Sequence, residues 1–159
     1  MAPRAIITGA AGLIGQYLVK SAPCWAPGWD VQGLTRVQLD LTDRSAVASA
    51  FQRHKPQLII HCAALSRTRD CEQDPERARR INVDATATLS QLARDIPFML
   101  LSSGEVFDGA RGWYRETDEP SPINVYGRTK LEAERVVLQN PAHTVVRIVL
   151  TAGTSVGRD

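Results

Sequence analysis

Three glycines at a fixed spacing constrain this chain more than any other feature. Gly9, Gly12 and Gly15 lie in the run Thr8-Gly-Ala-Ala-Gly-Leu-Ile-Gly15. The run follows the short apolar segment Arg4-Ala-Ile-Ile-Thr8 and opens an apolar stretch with helical spacing from about Leu13 to Lys20. A brief apolar run, a glycine turn and a 3.6-residue period read as strand, turn and helix. Glycines at such a turn allow a tight bend, close approach of the backbone to a pyrophosphate, and close packing of helix on strand. The helix N-terminus adds free N–H groups and a partial positive charge. Ordinary strand–helix loops can also hold three glycines, so the position between the first strand and the first helix carries the weight. It points to a dinucleotide, with Gly9, Gly12, Leu13, Ile14 and Gly15 against its phosphates.

The rest of the chain continues the alternation. After a Pro- and Trp-rich loop (Pro23 to Trp29), Val31 to Thr35 reads as a second strand. Thr42 is a plausible N-cap for a helix over Ser45 to His54 that Pro56 stops. Leu58 to Cys62 is the next buried run, and Asp74-Pro75 supplies an N-cap and N1 pair for a long helix toward Arg94. Phe98 to Leu101 is a strand ending in Ser102-Ser103-Gly104. An irregular stretch then runs to about Pro122, a helix spans roughly Val125 to Leu138, and Thr144 to Val149 is a last β-branched strand. Strands alternating with helices specify an α/β fold: a doubly wound parallel sheet, Rossmann-like, in three layers α/β/α. Right-handed crossovers bring the strand C-termini, and any ligand site, to one edge.

Composition narrows the class. The 159 residues are 43% hydrophobic and 23% charged, enough for one domain (1–159) with a core of its own and too apolar for a disordered chain. A net charge of +2 gives no reason to expect nucleic acid as a partner. The opening apolar segment is too short for a membrane span, so no membrane is expected. Cys24, Cys62 and Cys71 form no Cys-x-x-Cys pair, which leaves a reduced, cytoplasmic setting as the default. Nothing in the residues requires a metal.

The second strand bears on the choice of dinucleotide. It ends Gly33-Leu34-Thr35-Arg36 with no acid at its tip. An acid there would bind a ribose 2′-hydroxyl, whereas an arginine suits a 2′-phosphate, so Arg36 favours NADP (NADPH) over NAD. The bland reading of Arg36 is a surface arginine in an arginine-rich chain.

Tyr126-Gly-Arg-Thr-Lys130 places a phenol and an ammonium four residues apart on one helical face. A cation near a tyrosine lowers its pKa and makes it a better proton donor to a carbonyl under reduction. An isolated Tyr-x-x-x-Lys is usually a packed tyrosine and a solvated lysine. Here Ser102-Ser103 and the glycine turn converge on the same sheet edge.

With these residues assembled, the chain resembles the extended branch of the short-chain dehydrogenase/reductase family. The segments Ser102-Ser-Gly-Glu-Val-Phe-Asp-Gly109, Tyr114-Arg-Glu-Thr-Asp118 and Asn124-Val-Tyr-Gly-Arg-Thr-Lys-Leu131 resemble the dTDP-4-dehydrorhamnose reductase group. They are also similar to the regulatory β subunits of methionine adenosyltransferase. The resemblance implies NAD(P)H-dependent reduction of a keto group on a nucleotide-linked sugar. Ser103 would then orient the carbonyl, Tyr126 donate the proton, and Lys130 hold the nicotinamide ribose and tune the tyrosine. It further implies that Asp40 and Leu41 lie beside the adenine, that Ala63 and Ala64 line the central ribose and phosphates, and that Asn82 supports the backbone of the site. Asp40 also reads as a turn aspartate, His61 as a strand-end histidine and Cys62 as a small core residue. The arginines around Arg67 and Arg69 are interleaved with acids and read as a solvated surface.

One departure concerns substrate. The reductases usually carry Asp-Tyr after the active-site Ser/Thr, and this chain has Gly104-Glu105, which leaves the sugar open. The family also continues into a C-terminal substrate domain, most of which these 159 residues lack, so they read as the N-terminal part of a longer reductase. A regulatory subunit that binds NADP without turnover, and an epimerase or dehydratase of the same family, stand as alternatives. A homodimer is left open, and some relatives use a metal.

Overall fold

A computed structural model describes residues 2–149; the tail Thr151 to Asp159 lies outside them. Five strands form one parallel sheet: β1 (Arg4–Thr8), β2 (Asp30–Leu34), β3 (Leu58–His61), β4 (Phe98–Ser103) and β5 (Thr144–Ile148). Their order is β2-β1-β3-β4-β5. The chain therefore reverses direction across the sheet between β1 and β3, and such a switch point leaves a crevice beyond the strand C-termini. The helices are α1 (Leu13–Trp25), α2 (Arg44–His54), α3 (Thr68–Gln73), α4 (Pro75–Arg79), α5 (Ala85–Leu92) and α6 (Val125–Val137). A π-helical turn (Arg80–Asp84) joins α4 to α5, and a 3-10 turn (Gly104–Val106) follows β4.

Alternation along the strands sorts side chains between two layers. Ile59, Phe98 and Leu100 face α2, α5 and α6 and share a core with Val47, Leu89, Ala133 and Val137. Fully burying a side chain of this size is worth about 1.5–3 kcal/mol. On the opposite face α1 lies over β1 and β2, where the bare Cα of Gly33 lets Val19 and Ala10 close down on the sheet. Farther along that face Ile60, Met99, Leu101 and Val146 are only half-buried. The expected three-layer doubly wound fold is present, with the α1 layer covering only the β2-β1 side among the described residues.

Local corrections have physical causes. Helix α1 runs five residues past Lys20 and takes in Pro23, because a proline in the last turn removes only the bond to the Val19 carbonyl. The N-cap of α2 is Asp43, not Thr42: Asp43 Oδ1 accepts from the backbone N–H of Ser45 and Ala46 at 2.9 and 3.0 Å. Thr42 instead donates its hydroxyl to Asp40 at 2.7 Å. The short helix α3 had no clear apolar period to announce it. Asp74 does cap the next helix, accepting from Arg77 N–H at 2.9 Å.

His61 ends β3 in a buried hydrogen-bond chain. Thr86 donates its hydroxyl to the Asn82 carbonyl (2.7 Å), so it can only accept from His61 Nε2 (3.0 Å). Nδ1 then accepts from the Thr8 hydroxyl at 2.6 Å. Burial pushes the imidazole pKa down to about 3, with Lys130 adding to the effect, and the ring is neutral. It is the strand-end histidine expected, and it ties the residue before the glycine turn to α5.

Candidate functional site

A cavity of about 380 Å³ lies at the C-terminal ends of the strands. The glycine turn forms one end. Gly9 has φ +69°, and a Cβ there would sit 2.6 Å from the Ala63 nitrogen. A Cβ on Gly15 would run into the Gly9 carbonyl. Gly12 N–H donates to that same carbonyl at 2.9 Å. Gly12 is the N-cap of α1 and offers no side-chain cap, and the first turn holds no acid. The orphan N–H groups of that turn are thus left for a ligand. An uncapped helix start, backbone in place of side chains and no opposing carboxylate together fit a pyrophosphate.

Gly9, Gly12, Leu13, Ile14, Gly15, Arg36, Asp40, Leu41, Ala63, Ala64, Tyr126 and Lys130 all line this one cavity. Asp40 satisfies both readings made of it. It lines the wall, and its Oδ1 closes a turn by accepting from Thr42 N–H at 2.9 Å. Those hydrogen bonds from Thr42 hold its carboxyl below the usual range. Ser103 does not line the cavity. Its Oγ accepts from Glu105 N–H at 3.2 Å, and it hydrogen-bonds Tyr126, which does. Cys62, read as core, is half-buried on the cavity wall, and burial pushes its thiol up to about 11.

The far end is built on α6. Its N-cap Asn124 accepts from Gly127 N–H at 2.7 Å and donates to Glu105 at 2.6 Å. Gly127 packs against the Glu105 carbonyl so closely that any Cβ would overlap it. Asn82, on the π turn, braces both sides of the site. It exchanges hydrogen bonds with the Leu65 backbone (2.8 and 3.1 Å) and donates to Thr129 Oγ1 (2.9 Å). Thr129 in turn donates to the Tyr126 carbonyl at 2.8 Å.

Lys130 is 2% exposed, and its Nζ donates to the Leu101 carbonyl at 2.6 Å. Burial pushes its pKa down to about 8, against the pull of Glu134 and Cys62. The expected effect of Lys130 on Tyr126 is absent here. Burial raises the Tyr126 pKa, the Ser103 hydrogen bond opposes the rise, and Cys71 and Glu105 add to it. An ammonium held on the Leu101 carbonyl does not offset the desolvation of the phenol.

The lysine carries a measurable consequence. Between about 8 and its ordinary 10.5, the unfolded chain holds a proton on Lys130 that the folded chain has lost. Stability from this group therefore rises with pH across that window and is least below pH 8. Urea unfolding should show the wild type gaining on a Lys130→Met variant, by on the order of 2–3 kcal/mol between pH 8 and pH 10.5. Parallel pH profiles for the two proteins would sink this account of Lys130.

The sequence reading passed over several wall residues, among them Ser102, Leu65, Ser66 and Ile148. Ser102 had a signal, as the first hydroxyl of the Ser102-Ser103 pair. Leu65, Ser66 and Ile148 carried none.

Comparison with known proteins agrees with this geometry. The model of the family described as RmlD substrate binding domain matches residues 3–155. Methionine adenosyltransferase 2 subunit beta of Xenopus laevis is 42% identical over 146 residues, covering 86% of this chain and 43% of that protein. A dTDP-4-keto-6-deoxy-D-glucose reductase of Streptomyces niveus is 40% identical over 141 residues, covering 87% of this chain and 48% of the reductase. Among solved structures, dTDP-4-dehydrorhamnose reductase of Bacillus anthracis in complex with NADP superposes with a TM-score of 0.87 at 30% identity, over 94% of this chain and 54% of that one. The chain thus spans about half the length of the relatives it matches. The glycine turn, the α6 pair and the match over residues 3–155 together establish that this chain belongs to the RmlD substrate binding domain family.

Proposed function

We propose that this chain is the cofactor-binding half of an NAD(P)H-dependent reductase that acts on a keto group of a nucleotide-linked sugar. The observation that carries the reading is a single cavity joining the uncapped, glycine-lined start of α1 to Tyr126 and Lys130. That a similar reductase of Bacillus anthracis was solved with NADP supports it. Arg36 on the wall, with Asp40 Oδ1 engaged by Thr42, favours the 2′-phosphorylated cofactor.

The bound dinucleotide would supply a hydride to the carbonyl carbon. The protein's part is the proton and the orientation. Tyr126, its pKa raised, keeps the phenol protonated at neutral pH, the form needed to donate to the carbonyl oxygen as negative charge develops there. Ser103 accepts from Glu105 N–H, which fixes its oxygen, and its hydrogen bond to Tyr126 would orient the phenol toward that same carbonyl. Lys130 contributes a buried cation beneath the site, held against the Leu101 carbonyl.

Titration calorimetry with NADPH and NADH tests the binding half of the proposal. Loss of NADPH absorbance on adding a keto-sugar nucleotide to the natural full-length protein tests the chemistry. Tyr126→Phe should bind cofactor yet lose about 10²–10⁴-fold in turnover. An unchanged rate in that variant would remove Tyr126 from the reaction. The 42% identity to a methionine adenosyltransferase 2 subunit beta favours a second reading, a cofactor-binding regulatory subunit. Stoichiometric binding with no product from any keto-sugar nucleotide would select it.

A further inference from the structure

The start of α6 takes its acid from another helix. Asn124 caps α6 by accepting from Gly127 N–H, and the first turn holds no acidic residue of its own. The third helical position, where the glutamate of a capping box would stand, is Gly127, and the Glu105 carbonyl leaves no room there for a side chain. The acid comes instead from α3, 53 positions earlier in the chain. Glu72 Oε1 accepts from Val125 N–H, the first free donor of α6, at 2.7 Å. Helix α3 is itself anchored, because Cys71 is fully buried and donates its thiol to the Leu65 carbonyl at 3.2 Å. Cys71, Ala78 and Val125 form a small core on which Leu65 and Tyr126 pack. Glu72 thus stands on a fixed helix and grips the residue before Tyr126. Ser103 ties the phenol of that tyrosine and Thr129 its carbonyl. The entry to the turn that carries both is where Glu72 holds.

We propose that Glu72 is a positioning residue, a carboxylate that sets where Tyr126 stands in the cavity by holding the Val125 N–H. An ionised carboxylate at a helix N-terminus accepts a strong bond and opposes the partial positive charge there. Without it the first turn of α6 has a free donor, frays, and lets water reach the phenol. Glu72 is an exposed residue, so its truncation opens no cavity in the core. The bearing on catalysis rests on the proton-donor reading of Tyr126 given above. The placement of the phenol does not, so the two can fail separately.

Tyrosinate absorbance in the natural full-length protein is the test. Wild type, Glu72→Ala and Glu72→Gln are each titrated beside the same protein carrying Tyr126→Phe, and the difference within a pair reports Tyr126 alone. Burial is the largest influence on this phenol and raises its pKa; Ser103 opposes the rise, and Cys71 and Glu105 add to it. Lys130, with its pKa at about 8, has already lost its proton where the phenol titrates. Glu72→Ala should raise the ionisation constant of Tyr126 by about threefold or more, as water relieves the burial. Glu72→Gln, which keeps the accepting oxygen, should match wild type. Equal changes in both variants would mean that the charge acts on the phenol through space. An unmoved phenol in Glu72→Ala, even with a lower melting temperature, would leave Glu72 a brace of the fold. Either result overturns the proposal. Unchanged turnover in Tyr126→Phe would defeat the proton-donor reading alone, since the titration decides the placement without it.

Discussion

Gly12→Asp is expected to abolish dinucleotide binding while leaving the chain folded. Gly12 is the N-cap of α1 with φ −78° and ψ 163°, extended backbone that any residue adopts. A Cβ there meets only the Gly9 carbonyl, at 3.2 Å, a tight contact that a small shift relieves. Aspartate is also a better N-cap than glycine, by a few tenths of a kcal/mol, because its carboxylate accepts from the first free N–H groups. Those are the groups a phosphate would use, and the carboxylate would face it at close range. Two unit charges at about 4 Å repel by about 4 kcal/mol near a protein surface, so affinity should fall by two to three orders of magnitude. Calorimetry with NADPH and a thermal melt would give the two halves of the result. Retained affinity within about threefold of wild type would mean the phosphates lie elsewhere.

Glu134→Ala should be the most damaging single truncation in α6. Glu134 is 1% exposed and takes three hydrogen bonds from Arg147, at 2.7, 3.0 and 3.2 Å. Arg147 also lies over the Phe107 ring at 5.0 Å, and Phe107 stacks on Tyr114 with ring centres 4.3 Å apart. The carboxylate further supports the buried Lys130 cation. Removing it strands two cations at once, and breaking a buried pair this way costs about 3–5 kcal/mol. Glu134→Gln keeps a partner for Arg147 and should lose less. It should still move Lys130 to an even lower pKa, since the charge that raises it is gone. Urea unfolding at pH 7 measures the first effect; a loss below about 1 kcal/mol would show that solvent already screens the pair.

The fold and about half of the cavity wall could be read from the sequence because they rest on local signals. Glycines 9, 12 and 15 sit where a strand meets a helix, and Tyr126 and Lys130 are one helical turn apart, so spacing alone relates them. Asp74-Pro75 and the β-branched strand at Thr144 are local in the same sense. What escaped was set by contacts between distant segments. The choice of Asp43 over Thr42 as a cap depended on Asp40 claiming the threonine hydroxyl. The state of Tyr126 depended on Leu101, 29 positions from Lys130, accepting the ammonium that helical spacing had assigned to the phenol. The exposure of Cys62 to the cavity, like the isolation of Ser102 from any partner, is a property of packing on which composition has no bearing.

The backbone contact between Gly9 and Ala63 has a kinetic corollary. It joins two loops separated by α1, β2, α2 and β3, with no side chain between them to bridge a gap. The first βαβ unit alone therefore cannot complete the wall of the cavity at the glycine turn, however well that turn is formed. Closing so large a loop is entropically slow and comes after local helices and neighbouring strands have settled. On the proposed dinucleotide reading, ligand capture would be a late event in folding, one that rewards only chains whose third strand has already docked beside the first.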